Sequence, residues 1–458
     1  MGIISDGNMN MKQIHNVYFL GIGGIGMSAL VRYFVFLGKN VGGYDKTVSP
    51  LTIALEEVGA QIHYEDDITL IDEKYLNKQS SLIVYTPAVP KDHKELNYFI
   101  ENGFVVKKRS EVLGMVTNET FCFAVAGTHG KTTTSSILAH LLKEAQLPMT
   151  AFLGGISEDF NSNFYYQGSE CSVVEADEFD RSFLRLSPNV ACITSMDADH
   201  LDIYGTGEEL HKSFREFAGK LKENGKLFVC NGLPIEGITY GIDDDSDYCA
   251  KNIVISNGTY VFDVQTPTVL YKGVKFKKPG RHNLLNALVA LAMALEADVN
   301  PEKLFSALES FKGVQRRFSY RIKNEDFVFI DDYAHHPTEI NAVYDAVAEM
   351  HPNKKVLAIF QPHLFSRTKD FADDFASSLS KFENILLLDI YPAREKPMEG
   401  ITSEWLLHKI KNPNKKLIQK SELINEIKKQ APEVLVAMGA GDIGLEVVKI
   451  QNALVNEN

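Results

Sequence analysis

An apolar strand that runs into a glycine-rich or polar turn and leaves it as a helix is the unit this chain repeats, and that unit restricts the fold more than any other feature. One copy is "FAVAGTHGKTTTSSILAHLL", residues 123–142. Others open with "NVYFLGIGG", "CSVVEADE", "VACITSMDAD", "FVFIDDYAHHPTEI", "KVLAIFQPH", "NILLLDIYPA" and "EVLVAMGAGDIG". Strands alternating with helices predict parallel sheets covered by helices on both faces, an α/β fold. Ligands then bind beyond the carboxyl ends of the strands. The copies fall into three blocks. The first has a helix over about Met27–Phe36 and further strands in "NVGGYD", "SSLIVYTPAVP" and "FVVKKRS". The second holds a helix over Lys131–Ala145, a β-rich stretch near "GTYVFDVQTPTVLYKGVKF" and the helix "NLLNALVALAMALEA". The third begins near Gly313.

The turn of the second block ends in Gly130, Lys131 and Thr132, like a Walker A loop. That pattern wants a glycine where Val125 stands, and the nearest one is Gly127. Residues Gly127–Thr132 still cap a helix N-terminus, where free N–H groups and the helix dipole favour phosphate. This is a phosphate loop two residues tighter than Walker A. Lys131 supplies charge to the β- and γ-phosphates, and Thr132 a hydroxyl to Mg²⁺. The cation needs further hard ligands. Two strand ends offer them: Glu175, Asp177, Glu178 and Asp180 in one, Asp197, Asp199, His200 and Asp202 in the next.

The first block carries G-x-G-x-x-G at Gly21, Gly23 and Gly26, with Asp45 about 20 residues on. By rule this is a dinucleotide site, which predicts an NAD-dependent oxidoreductase. A second phosphate loop with its own acids predicts instead ATP at one site and a nucleotide-linked substrate at the other. In the third block, Asp332, Tyr333, His335 and His336 share one strand end, and His363 with Arg367 another. Histidine and arginine so placed suit a carboxylate.

A net charge of −13 argues against nucleic acid as a partner, which would need a basic stripe. Nucleotides remain open, because backbone N–H groups and a few cations suffice to grip them. The five cysteines are scattered without a CxxC pair and read as buried free thiols. No apolar run reaches the length of a membrane span. "MGIISDGNMN" lacks the apolar core of a signal peptide, so the expected place is the cytoplasm.

Taken together, "GTHGKTTT", "EADE", "DADHLD", "GRHNLLNAL" and "DDYAHHPTEI" resemble the Mur ligases of peptidoglycan synthesis, in order and over essentially the whole chain. The resemblance implies three domains: a Rossmann-like UDP-substrate domain (1–117), a P-loop-type central ATPase domain (118–313) and a Rossmann-like domain for the amino acid (314–458). It implies ATP and Mg²⁺, and amide formation through an acyl phosphate. With "GIGGIGMS" at the front, the substrates it implies are UDP-N-acetylmuramate and L-alanine; a recycled murein tripeptide in place of alanine is the alternative. The protein would act as a monomer or weak homodimer.

By resemblance, Gly21, Gly23, Gly24, Ile25, Gly26, Met27 and Ser28 would hold the UDP diphosphate, and Asp45 and Thr86 the uridine. Gly127, Thr128, His129, Gly130, Lys131, Thr132 and Thr133 would meet the ATP phosphates. His282, Asn283 and Asn286 resemble an adenine-side motif, and Arg317, Asp332 and Tyr333 would close on ATP. Thr132, Glu175 and His200 would ligate Mg²⁺, which with Lys131 makes the catalytic set. His335, His363 and Arg367 would face the amino acid. The chain departs from the family at Leu364, often an arginine there, and at Tyr44-Asp45, where Ser-Asp is usual.

Overall fold

The computed structural model describes residues 11–198, 201–256, 258–393 and 395–455. The N-terminal "MGIISDGNMN", Asp199 and His200 lie outside the described residues, as does the side chain of Asp202.

The first block folds into a five-stranded parallel sheet of β1 (Asn16–Leu20), β2 (Asn40–Tyr44), β3 (Gln61–His63), β4 (Ser81–Tyr85) and β5 (Val105–Lys108). Their order is β3-β2-β1-β4-β5. Strand β1 is buried along its whole length, which a parallel sheet covered on both faces requires. The order reverses between β1 and β4, so the crevice beyond β1 is the switch point where such sheets take ligands. The glycine-rich turn after β1 opens there into the helix Ile25–Phe36.

The next strands are β6 (Phe121–Ala126), β7 (Met149–Ser157), β8 (Ser162–Tyr166), β9 (Cys171–Glu175), β10 (Val190–Ile193), β11 (Lys226–Cys230) and β12 (Ile238–Ile242). They lie in the order β12-β11-β10-β6-β9-β7-β8. β6 stands between β9 and β10, both parallel to it, so three strand ends converge on the loop it feeds. An antiparallel meander follows in β13 (Tyr248–Ser256), β14 (Thr259–Gln265) and β15 (Leu270–Phe276). The third block gives β16 (Ser319–Lys323), β17 (Val328–Asp332), β18 (Val356–Phe360), β19 (Asn384–Leu387), β20 (Lys415–Leu417) and β21 (Val434–Met438). Their order is β16-β17-β21-β18-β19-β20, parallel except for β16.

The chain packs into two compact units. One runs through Gly241 and takes in Asp245–Tyr248 and Val289–Leu308; the other holds Ile242–Asp244, Cys249–Leu288 and the chain from Glu309 onward. In the first unit the N-terminal and middle sheets share a boundary. Tyr33, on the helix Ile25–Phe36, packs on Phe152 and Phe164 of the β7–β8 hairpin. The fully buried Asn163 donates from Nδ2 to Ile25 O at 2.6 Å and to Ser28 Oγ at 2.9 Å.

Three expectations need correcting. "FVVKKRS" is a strand only to Lys108, and the helix Arg109–Thr117 follows at once. "VACITSMDAD" is strand only to Ile193, because the hydroxyls of Thr194 and Ser195 bond the phosphate loop and take the chain out of the sheet. All five cysteines are free, yet Cys230 is only half-buried.

Candidate active site

In the first unit, two helices begin in the same way. The helix Ile25–Phe36 has no side-chain cap, and its first i→i−4 bond runs from Ser28 N to Gly24 O at 2.9 Å. The N–H groups of Ile25, Gly26 and Met27 precede that bond and are the orphan donors of the turn. Around them stand Thr86, whose Cγ2 would lie 2.7 Å from a Cβ on Gly21, and Arg109, whose Nη1 would lie 2.6 Å from one on Gly26. Asp45 accepts from Gly23 N through Oδ2 at 2.7 Å, so it shapes the turn. Met27 and Ser28 are buried, and the Ser28 hydroxyl donates to Ile25 O while accepting from Asn163.

The helix Lys131–Glu144 also lacks a side-chain cap, and its first bond runs from Thr134 N to Gly130 O at 2.9 Å. The N–H groups of Lys131, Thr132 and Thr133 are therefore the orphans here. Gly127 has φ of +134°, and a Cβ on it would lie 2.0 Å from Thr194 Oγ1, so only glycine fits. The irregular segment after β10 ties the loop down. Ser195 Oγ accepts from His129 N at 2.8 Å, Thr128 Oγ1 accepts from Asp197 N at 3.1 Å, and Thr194 Oγ1 donates to His129 O. Such fixed dipoles need no reorganisation when phosphate arrives.

The acids do not converge on one point. Glu178 pairs with Lys131, Asp177 with Arg109, Asp180 with Lys108, and Asp197 with His129. Glu175, at the end of β9, accepts from Gly154 N through Oε2 at 3.0 Å. Among the described residues no group of three or more His, Cys, Asp or Glu side chains could hold a metal; His200 lies outside them. Glu175, which pairs with Val125 in the sheet register, and Thr132, in the first turn of the helix, carry the hard oxygens that suit Mg²⁺ by chemistry. Burial works against the charge on Lys131, but the carboxylates of Glu178, Asp177 and Glu175 more than offset it and keep the ammonium charged.

In the second unit, Asn283 donates from Nδ2 to Pro279 O at 2.6 Å and fixes the turn into the helix Arg281–Leu295. Asn286 is buried on the next turn of that helix. Burial pushes the His282 imidazole down to about 4, with Arg317 acting the same way and the Glu339 carboxylate opposing, so it is neutral at ordinary pH. Asp332 accepts from Phe318 N and Ala334 N at 2.7 Å each, and burial pushes it up to about 6 against the pull of Arg317. The guanidinium groups of Arg316 and Arg317 lie 5.0 and 5.2 Å from the Tyr333 ring centre.

The three residues expected to face an amino acid do meet. The rings of His335 and His363 are 6.0 Å apart edge to face, and His363 Nδ1 is 3.4 Å from Arg367 Nη1. His363 stacks on Tyr391, and Glu339 accepts from His335 N at 2.9 Å. Arg109, Glu339, Gln361 and Tyr391 escaped the sequence reading as site residues, and Glu178, read as one of the acids open to a metal, pairs with Lys131 instead. Glu339 had a readable signal, since His336 and Glu339 form a capping box at the start of the helix Pro337–Met350.

A glycine loop opening an uncapped helix beyond a central parallel strand, a second such turn in the same unit and a histidine–arginine cluster in the other are the pattern of a nucleotide-using enzyme of several α/β domains. Residues 16–120 match "Mur ligase family, catalytic domain", 125–294 "Mur ligase middle domain" and 316–445 "Mur ligase, glutamate ligase domain". The chain belongs to the Mur ligase family, whose members are ATP-dependent. It is similar to the UDP-N-acetylmuramate–L-alanine ligase of Flavobacterium psychrophilum, 63% identical over 97% of this chain and 99% of that one. That of Christiangramia forsetii is also 63% identical, over 98% and 99%. Among solved structures, the UDP-N-acetylmuramate-alanine ligase MurC of Thermotoga maritima superposes with a TM-score of 0.82 at 26% identity, covering 97% of this chain and 100% of that one. The murein peptide ligase of Psychrobacter arcticus shares the fold, with a TM-score of 0.68 at 24% identity over 96% and 99%. The oxidoreductase reading of the first turn falls with this membership. No helix among the described residues is long and apolar enough to cross a membrane.

Proposed function

We propose that this chain is an ATP-dependent ligase joining L-alanine to UDP-N-acetylmuramate, in the cytoplasmic stage of peptidoglycan precursor synthesis that serves cell shape and division. The observation that carries this reading is the pair of uncapped helix starts, at Ile25 and at Lys131, in one unit. Two such starts accept two phosphorylated ligands, one for a nucleotide sugar and one for ATP. Names of relatives at 63% identity supply the substrates.

In this reading the orphan N–H groups of Ile25–Met27 hold the UDP diphosphate, with Arg109 beside them. Asp45 and Thr86 stand at the uridine side. The N–H groups of Lys131–Thr133 and the Lys131 ammonium hold the ATP phosphates. His282, Asn283 and Asn286 serve the adenine side of ATP, and Arg317, Asp332 and Tyr333 close on ATP. The lactyl carboxylate attacks the γ-phosphorus and ADP leaves; the alanine amine then attacks the acyl carbon and phosphate leaves. No protein nucleophile takes part, and the work is positioning and charge neutralisation. Thr132, Glu175 and His200 would hold Mg²⁺, which supplies positive charge against the phosphates. His335, His363 and Arg367 receive the alanine carboxylate. The division into 1–117, 118–313 and 314–458 follows from these roles, and the protein acts as a monomer or weak homodimer.

The test is ATP-dependent phosphate release from UDP-N-acetylmuramate with either L-alanine or the murein tripeptide. Release with alanine alone is expected. Release with the tripeptide alone would transfer the protein to the recycling reaction, and release with neither would end the proposal.

A further inference from the structure

The Lys131 ammonium brings three N–H donors and one positive charge to an anion, and no acceptor. One donor goes to Gly127 O at 2.7 Å, which fixes the side chain along its own loop. Glu178 engages the ammonium with both oxygens, Oε1 at 2.9 Å and Oε2 at 2.8 Å; Thr128 O stands off at 3.4 Å. The Glu178 side chain is 1% exposed and that of Lys131 13%, so water does not weaken the pair. The ammonium that the β- and γ-phosphates require is thus already paired with a carboxylate, through a hydrogen bond to Oε1 and an ion pair with both oxygens, and that carboxylate carries the same sign of charge as the phosphates.

Glu178 has only a short stretch of chain in which to yield. Its carbonyl accepts from Tyr204 Oη at 2.6 Å and from Arg181 N at 2.9 Å. The turn behind it contains two consecutive non-glycine residues in the left-handed region, Asp180 at φ 52° and Arg181 at φ 54°. Backbone held in this way is strained and marks a segment whose conformation is fixed by its neighbours.

We propose that Glu178 is an internal placeholder for phosphate: it holds Lys131 in the nucleotide-free protein, gives the ammonium up to ATP, and returns to it as the products leave. Glu178 is then a positioning residue that acts through Lys131, and it competes with nucleotide for the same ammonium. The inference rests on reading this loop as the ATP site.

The test is calorimetric titration of the full chain with MgATP and with MgADP, in the absence of the other substrates. Glu178→Gln keeps the size of the side chain and removes the competing charge. It should bind both nucleotides about tenfold more tightly, since the competent state no longer has to be bought back from the pair. Its melting temperature without ligand should fall, and the rise on adding MgATP should exceed that of the parent. Glu178→Asp, which restores the charge, should return nucleotide affinity toward the parent value. A folded Glu178→Gln variant that binds MgATP no more tightly than the parent overturns the placeholder. A parent protein that binds no MgATP overturns the ATP reading of the loop instead.

Discussion

Two turns of this molecule are spelled alike and built differently. Gly21, Gly23 and Gly26 follow β1, and Gly439, Gly441 and Gly444 follow β21; each set reads G-x-G-x-x-G between a fully buried strand and a helix. At the first, the helix start carries no side-chain cap and Arg109 lies alongside. At the second, Gln361 fills the turn: its Oε1 accepts from Ile443 N at 2.9 Å and its Nε2 donates to Asp442 Oδ1 at 2.8 Å. Arg316 donates to Gly439 O from beneath. The pattern specifies a backbone that lets an anion approach. Whether an anion or the protein's own amide occupies it is decided by a residue from another strand.

The contrast can be broken by experiment. The phosphate loop, a second open start, sets the scale: Lys131→Ala should lower kcat by a factor on the order of 10²–10³, with UDP-N-acetylmuramate binding kept in a calorimetric titration. Next comes an alanine placed in each like-spelled turn. A Cβ on Gly23 would lie 2.6 Å from Thr52 Cγ2 and 2.8 Å from Asp45 Oδ2. Gly23→Ala should therefore weaken the nucleotide sugar about tenfold or more while MgATP binding stays intact. A Cβ on Gly441 would lie 2.5 Å from Gln361 Oε1 and 2.7 Å from the Tyr391 ring. Gly441→Ala should cost about 1–3 kcal/mol in denaturant unfolding and leave the nucleotide sugar untouched. If the two variants exchanged phenotypes, the open and filled assignments would be reversed.

Arg367→Ala should raise KM for alanine well above any change in KM for ATP, since Arg367 and His363 sit in the strand-end cluster next to the filled turn. An unchanged alanine KM would remove that cluster from the site. The smallest effect is on acid stability. His282 falls to about 4 in the fold from its usual 6.5, so its contribution is complete above 6.5 and is lost as pH drops toward 4. Asp332 is raised from 3.8 to about 6, so its contribution is complete at low pH and is lost as pH climbs through 6. The two oppose each other over the shared window. In unfolding measured between pH 7 and pH 4, His282→Gln should flatten the acid loss and Asp332→Asn should steepen it.

The three-block α/β order and the strand-end position of every cluster were legible in the sequence, because buried parallel strands and glycine turns write local patterns. So was the meeting of His335, His363 and Arg367, which all leave strands of one parallel sheet. The partners of the acids were not. "EADEFD" announces carboxylates, but which cation each one meets depends on register between strands far apart in the chain. Lys108 and Arg109 sit at the end of a strand from another sheet, and nothing near Asp177 or Asp180 in sequence mentions them. The filling of the turn after β21 was hidden for the same reason, since β19, β20 and several helices separate Gln361 from Gly439 in the chain.

Asn163 joins two distant stretches through a single amide. Both of its bonds go to the first turn of the helix Ile25–Phe36, 135 and 138 residues away, from inside the β7–β8 hairpin. In the language of hydrogen exchange, the hairpin and that helix start open as one foldon. Amide protection at Ser28, whose N–H bonds Gly24 O, is expected to rise and fall with protection at Ser162–Tyr166. A ligand that orders the first turn thereby slows exchange in an edge hairpin of another sheet, and a label placed on that hairpin reports on the turn without touching it.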